Sequence, residues 1–106
     1  MPNVSPATDH TAPILTGRQR KSLRGRAHRL QPVVLVGREG VTDAVVRAVD
    51  EALATHELIK VRLHEPEDKQ SAAQGLADGA GAALCGLVGH TVILYRPHPE
   101  RPKIVP

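Results

Sequence analysis

A chain of 106 residues with a formal net charge of +3 can form one compact domain, but it is too short for two domains with separate hydrophobic cores. It contains no Trp, no Phe and a single Tyr, which excludes the platform of several aromatic rings on which many single-strand-binding modules stack bases. If the partner is a nucleic acid, we therefore expect contact with its backbone or with duplex shape.

Positive charge is concentrated at the start of the chain. Residues 1–40 contain seven Lys and Arg residues against Asp9 and Glu39, a net charge of +5, whereas the remainder contains seven against nine acidic residues, a net charge of −2. Such an asymmetry attracts the basic end of a molecule to polyanions. It favours RNA or DNA over a neutral protein partner.

Several classes of protein are disfavoured by what the sequence lacks. Cys85 is the only cysteine, so neither an intramolecular disulfide nor a cysteine zinc cluster can form, and the six His residues lack metal-site spacing. We find no phosphate-loop or dinucleotide signature, and nothing marks Cys85 as a nucleophile. No apolar run approaches the ~20 residues that cross a bilayer. We expect a cytoplasmic monomer that has no cofactor, metal, membrane association or catalytic activity.

The first predicted element is a helix. Residues 1–14 contain three Pro residues and too little apolar surface to order, so they are predicted to be a flexible tail. Thr16 and Gln19 have the spacing of a capping box, which starts a helix there. Leu23, Ala27 and Leu30 recur at helical spacing and predict its buried stripe. Pro32 ends this segment.

Two strands and a second helix follow. Residues 33–36 are a short apolar run, typical of a buried central strand. Thr42 is a candidate N-cap for a helix that extends to about His56. Residues 59–63 then alternate between apolar and basic, which predicts a strand with one buried face and one face exposed to water.

The final elements are a helix and a hairpin. Residues 68–78 predict a third helix that Gly79 and Gly81 break. Strands over 83–88 and 91–96 are joined by a two-residue turn with Gly89 in its first position. The result is a single α/β domain over 15–97, of order α-β-α-β-α-β-β, in which a four-stranded mixed sheet packs with helices. A Pro-rich tail, residues 98–106, is predicted to be loosely held.

The first helix is the strongest candidate for a nucleic-acid contact. A charged helix face is usually solvated and has acidic partners four residues away, yet no acidic residue lies between positions 16 and 38. A helix that carries only cations repels itself unless a polyanion compensates. The predicted contact residues on it are Arg18, Arg20, Lys21, Arg24, Arg26, His28 and Arg29.

The loop Gly37-Arg38-Glu39-Gly40 is the second candidate. It lies between a strand and a helix N-terminus, where free N–H groups and the helix dipole favour a phosphate. The alternative is that its glycines merely permit a tight turn. Glu39 would repel a phosphate and is expected to point away. Four more residues could extend the surface: Lys60, Arg62, His90 and Arg96.

Three segments together resemble a known family. They read LRGRAHRLQPVVLVGREG from Leu23, HELIKVRL from His56 and GHTVILYRP from Gly89. This combination resembles the YhbY family, the stand-alone bacterial form of the CRM (chloroplast RNA splicing and ribosome maturation) RNA-binding domain. The resemblance implies a fold similar to the C-terminal domain of translation initiation factor three.

The resemblance also implies RNA binding and association with large-subunit precursors during ribosome maturation. The family's RNA-contacting loop falls on Gly37–Gly40 and its basic helix on Arg18–Arg29. Other members often have Lys where this chain has Gln31 and His90. The leading hypothesis is therefore a factor in large ribosomal subunit assembly that contacts structured rRNA. The alternatives are a protein-interaction adaptor that docks an acidic partner through its basic face, and DNA binding.

Overall fold

The computed structural model describes residues 11–106, which form three helices and four strands. In chain order these are α1 (Gly17–Ala27), β1 (Pro32–Val36), α2 (Asp43–His56), β2 (Leu58–Leu63), α3 (Lys69–Ala80), β3 (Ala83–Val88) and β4 (Thr91–Tyr95). The first ten residues of the predicted flexible tail lie outside the described residues. The predicted order of elements is confirmed.

The strands form one sheet in the order β1-β2-β4-β3. β1 and β2 are parallel, with α2 as their crossover, whereas β4 is antiparallel to both of its neighbours. The sheet is therefore mixed, as the sequence predicts. The non-local pairing of β2 with β4 places these two strands at the centre and leaves β1 and β3 at the edges.

The two faces of the sheet carry separate hydrophobic cores. α2 and α3 cover one face and bury the larger core, which includes Leu53, Val61, Leu76 and Leu94. α1 covers part of the other face and buries a smaller core around Leu23. We call these sides the α2/α3 face and the α1 face.

The start of α1 agrees with the sequence, but its end does not. The Thr16 hydroxyl accepts a hydrogen bond from the Gln19 N–H at 3.0 Å, and the Gln19 side chain accepts one from the Thr16 N–H at 2.9 Å, which completes the capping box. The helix ends at Ala27, before Leu30. Leu30 therefore does not extend the buried stripe and is 37% exposed.

β1 is an edge strand, which corrects the prediction of a buried central strand. Val34 and Val36 pack against the α2/α3 core, but Val33 and Leu35 point to the α1 face and are 50% and 67% exposed. An uninterrupted apolar run does not show whether both faces of a strand are covered. Here α1 covers mainly the opposite half of the sheet.

α3 continues past the glycine that was predicted to break it. Gly79 lies inside the helix, where a Cβ atom would come within 3.2 Å of the Val46 side chain on α2. The glycine permits close approach of the two helices. The helix ends at Gly81, which has a φ of +62°.

The C-terminal segment is held against the domain, contrary to the expectation of a loose tail. The buried carboxylate of Glu57 accepts hydrogen bonds from the backbone N–H groups of His98, Lys103 and Ile104 at 2.9–3.0 Å. The Tyr95 hydroxyl donates to the Ile104 carbonyl at 3.2 Å, and the Ile104 side chain packs against the α1-face core. The ordered domain therefore extends beyond residue 97.

Candidate nucleic-acid interface

The predicted cations of α1 are all exposed, but they do not share one direction. At 3.6 residues per turn, Lys21, Arg24 and His28 lie along one flank of the helix. Arg24 and His28 line a groove of about 300 Å³ together with β2, β3 and β4 residues. Arg26 lies on the opposite flank and lines a different cavity.

The remaining predicted cations of the first helix lie outside the flank formed by Lys21, Arg24 and His28. Arg18 lies on the side of α1 opposite to buried Leu23 and Ala27, and Arg29 follows the end of the helix. Both are exposed. Arg20 lies close enough to Cys85 for its charge to act on the thiol. Only one flank of α1 thus faces the open part of the sheet.

Arg24 has a structural role in addition to its charge. A bulge in β3 lies between Leu84 and Gly86, and the carbonyl of Cys85 accepts a hydrogen bond from Arg24 Nη1 at 2.8 Å. The aliphatic part of Arg24 crosses Gly86, where a Cβ atom would lie 2.7 Å from its Cδ. Arg24 therefore fixes α1 on β3 while the rest of its guanidinium stays exposed.

Lys60 joins β2 to the end of α1. Its Nζ donates to the His28 carbonyl at 3.3 Å, where the negative end of the helix dipole favours a cation. Lys60 also lines the groove with Arg24 and His28. We call the set Lys21, Arg24, His28, Lys60 and Arg62 the basic track.

Arg62 belongs to an uncovered row of the sheet. It pairs with Leu35 of β1 and Thr91 of β4, and Thr91 pairs with Val88 of β3. Leu35 and Val88 are 67% and 64% exposed, and Arg62 is exposed too. We call Leu35, Arg62, Thr91 and Val88 the open row. It crosses all four strands, and none of its members is acidic.

The glycine loop and the hairpin turn lie at the end of the sheet next to the open row. The loop follows β1, where Gly40 has a φ of +77° and its N–H donates to the Gly37 carbonyl at 3.1 Å. The carbonyl of His90, in the hairpin turn, accepts from the Leu63 N–H at 2.8 Å. The two turns therefore flank the same end of β2, and Arg38 and His90 are both exposed there.

The glycine loop has one acidic side. A cavity of about 410 Å³ lies between it and the segment that follows β2. Four carboxylates line this cavity, against Arg38 and His64: Glu39, Glu65, Glu67 and Asp68. Two hydrogen bonds from Ser71, from its N–H and its hydroxyl, lower the pKa of Asp68, which stays ionised. A phosphate is disfavoured in this cavity and must approach the loop from elsewhere.

Arg96 is not part of the exposed surface, unlike the prediction. Its side chain is directed into the α2/α3 side, where Nη1 donates to Asp50 Oδ1 at 2.7 Å and to the Ala80 carbonyl at 2.8 Å. Nη2 donates to the Asp50 carbonyl at 3.1 Å, and the residue is 5% exposed. Arg96 therefore connects β4 to α2 and α3 and cannot reach a ligand.

Chemistry other than binding finds little support in residues 11–106. Burial raises the pKa of the Cys85 thiol to about 11, although Arg20 and Arg24 oppose this shift, so the thiol is protonated at neutral pH. Within that range no three His, Cys, Asp or Glu residues are grouped as metal ligands would be. Its helices are also too short or too polar to traverse a lipid bilayer.

Three residues of the surface escaped the sequence prediction, namely Leu35, Thr91 and Val88. Leu35 was predicted to be buried with the rest of its strand, and Thr91 and Val88 flank the hairpin turn without any charge to mark them. Only the pairing of the strands brings them beside Arg62. In the sequence, the excess of apolar residues in β1 was the one indication of this apolar surface.

The chain as a whole is similar to known proteins. The CRS1 / YhbY (CRM) domain model matches residues 15–96. The chain is 39% identical over 93 residues to the Bacillus subtilis protein named "Probable RNA-binding protein YqeI", covering 86% of this chain and 97% of that protein. A Haemophilus influenzae protein named "RNA-binding protein" is 39% identical over 88 residues, covering 81% and 89%. The solution structure of the Staphylococcus aureus protein SAV1595 superposes with a TM-score of 0.73 at 30% identity, covering 82% and 93%.

Proposed function

The chain belongs to the CRS1/YhbY (CRM) domain family, and from that premise we propose that it is an RNA-binding protein without catalytic activity of its own. We propose further that it acts in the cytoplasm as a monomer, contacts structured rRNA and serves assembly of the large ribosomal subunit. The names of its relatives support RNA as the ligand. The resemblance described above supports the ribosomal role.

The observation that carries the proposal is the continuity of the basic track. Arg24 and His28 on α1 adjoin Lys60, Lys60 and Arg62 lie two residues apart on the same face of β2, and Arg62 pairs with the strand that leads into the glycine loop. Positive charge therefore extends from α1 across the sheet toward Gly37–Gly40. No carboxylate lines the groove at Arg24, His28 and Lys60, so a ribose-phosphate chain meets acidic groups only where the path reaches the glycine loop.

The distribution of acidic residues supports the same orientation. The carboxylates beside the glycine loop line the cavity that also contains Ala72 of α3, so phosphate binding is favoured only on the side of the α1 face. We propose that the loop N–H groups, Arg38 and His90 bind phosphates at the end of the track. Because phosphate contacts carry no base information, shape positions the protein on folded RNA.

Salt dependence tests the electrostatic mechanism. If the protein neutralises about five phosphates, the log–log slope of affinity against salt should be about −3.5 to −4.5. We would measure this by filter binding to a large-subunit rRNA fragment. An affinity that does not change with salt would contradict the mechanism.

A triple variant tests the surface. We expect Lys21→Ala, Arg38→Ala and Arg62→Ala together to weaken rRNA binding about 100-fold and to make the salt slope about 2 to 3 less negative, because three phosphate contacts are lost. Arg24 is left intact because it also fixes α1. Circular dichroism checks that the variant is folded.

A matched control removes the same charge elsewhere. Arg47, Lys69 and Arg101 are exposed cations away from the track, and their replacement with Ala gives the same net charge as the test variant. The control should lose far less affinity and keep a steeper slope. Equal losses in both variants would show that net charge, rather than this surface, controls binding. If the wild type bound naked rRNA no better than an unrelated basic protein, a protein adaptor would be the better description.

A further inference from the structure

The open row contains a feature that phosphate binding does not use. Leu35 and Val88 lie at its two ends, and both are about two-thirds exposed. Removing apolar side chains of this kind from water is favourable. α1 covers the sheet around Leu23 and Ala27 but stops short of this row. At the usual strand spacing the row is about 14 Å long.

We propose that the open row binds unpaired nucleotides, so that the preferred ligand is RNA with a loop or bulge rather than uninterrupted duplex. This inference rests on the proposed RNA-binding function and specifies the class of RNA. An A-form duplex presents phosphates, hydroxyls and base edges, while its base faces stay stacked inside. Such a surface offers nothing apolar to Leu35 or Val88. An unpaired nucleotide offers the face of its base and its ribose.

The charges around the row favour RNA over an apolar protein surface. Arg62 lies inside the row, and the groove that adjoins Val88 and Thr91 is lined by Arg24, His28 and Lys60 without any carboxylate. A protein partner would have to supply acidic groups for each cation it covers. One RNA strand supplies both the anionic and the apolar contacts, since its phosphates can meet the cations while its bases meet the aliphatic side chains.

Aliphatic contacts set the size of the expected effect. With no Phe or Trp in the chain and its single Tyr, Tyr95, buried under α1, no Phe, Tyr or Trp ring is available for stacking at the row. Apolar packing by Leu35 and Val88 is therefore a modest addition to a mainly electrostatic affinity. It should distinguish RNAs without changing the salt slope.

The test compares two RNAs and two pairs of substitutions. One RNA is a stem closed by a loop of unpaired nucleotides, and the other has the same number of phosphates in an uninterrupted duplex. The test variant carries Leu35→Ser and Val88→Ser. The control carries Ile14→Ser and Val105→Ser, two exposed apolar residues outside the row. Because all four side chains are exposed and uncharged, both variants should fold and keep the net charge.

We expect the test variant to bind the looped RNA about five- to tenfold more weakly, while its affinity for duplex changes less than twofold and the salt slope is unchanged. The control should match the wild type on both RNAs. If the serine variant is partly unfolded, Leu35→Thr and Val88→Thr replace it, because the β-branched Thr side chain suits a strand better than Ser.

Three results would overturn the inference: unchanged affinity for looped RNA, equal weakening on both RNAs, or a wild type that prefers duplex. If the variant kept its RNA affinity but no longer associated with precursor large subunits, the row would be a protein-docking surface instead. None of these results would remove the salt-dependent binding on which the proposed function depends. In this experiment, the result that would contradict that function is a wild type that fails to bind either RNA.

Discussion

The two faces of the sheet differ in how much they contribute to the hydrophobic core and in how much surface they leave exposed. The α2/α3 face is closed by two helices, contains the larger core and holds the ion pair of buried Arg96 with partly exposed Asp50. The α1 face is closed by one short helix and the C-terminal segment, and it leaves the open row exposed at Leu35, Arg62 and Val88 and half-buried at Thr91. One face provides stability, and the other can present cations and apolar side chains because it contributes less to the core.

This difference shows how a small domain tolerates a helix without acidic residues. α1 needs only Leu23 and Ala27 to be buried, and its remaining positions are free to carry charge. The cost of self-repulsion is limited to an element whose packing is supplemented by the Thr16 capping box and the Arg24 contact to β3. The larger core is insulated from that charge by the sheet.

The largest expected effect compares the two cores directly. Leu76 on the α2/α3 face and Leu23 on the α1 face are both fully buried. We expect Leu76→Ala to lower the free energy of unfolding by about 4 kcal/mol and Leu23→Ala by about 2 to 3 kcal/mol, because the smaller core can collapse more readily around a cavity. Urea denaturation measures both. Equal losses would contradict the unequal division of stability.

Arg96 gives the next prediction. Arg96→Ala removes three hydrogen bonds between β4 and the helices and should lower the free energy of unfolding by about 3 kcal/mol. The value lies at the low end for a buried pair because the Asp50 side chain is 39% exposed. The RNA affinity of the folded variant should be unchanged at a temperature well below its Tm. A loss of RNA affinity in the folded variant would show that Arg96 belongs to the binding surface.

A smaller effect, sensitive to pH, is expected at Glu57. Burial disfavours its ionised form, but hydrogen bonds from the N–H groups of His98, Lys103 and Ile104 outweigh this and hold the pKa of Glu57 below 4.5, its ordinary value. Its stabilising contribution is therefore complete above pH 4.5 and is lost as the pH falls through the lowered pKa. The protein should lose stability in acid over that window.

Glu57→Gln tests that contribution. Gln has only one oxygen to accept these N–H groups, so we expect a loss of about 1 to 2 kcal/mol at pH 7 and a weaker dependence on pH below 4.5. Denaturation at pH 7 and at pH 3 separates the two effects. A variant that matches the wild type at pH 7 would show that the C-terminal segment is held by Tyr95 and Ile104 alone.

The features that were predictable from sequence are those set by nearby residues. The Thr16 capping box, the alternation in β2, the second helix from Thr42 and the turn at Gly89-His90 each depend on positions within a few residues of one another, and the structure confirms them. The order of elements followed from these signals. It restricted the fold to a mixed sheet with helices.

The features that were missed depend on distant partners. Arg96 reads as a surface cation until Asp50, 46 residues earlier, is placed beside it. The C-terminal segment reads as a tail because its anchor, Glu57, is more than 40 residues away. Leu35 looks buried because an apolar run does not reveal the edge of a sheet. For the candidate site, the sequence predicted the cations and the glycine loop but not the uncovered row between them.

The acidic cavity beside the glycine loop has a consequence for how such a protein can be accommodated in a large assembly. Four carboxylates line the cavity beside the loop, and the basic track lies on the α1 face, so the proposed RNA contact is open to nucleic acid from one direction only. A one-sided binder can cap an RNA surface but cannot be wedged between two RNA segments. Its acidic side is left to face solvent or basic proteins, so that occupancy by RNA also fixes which way the molecule points.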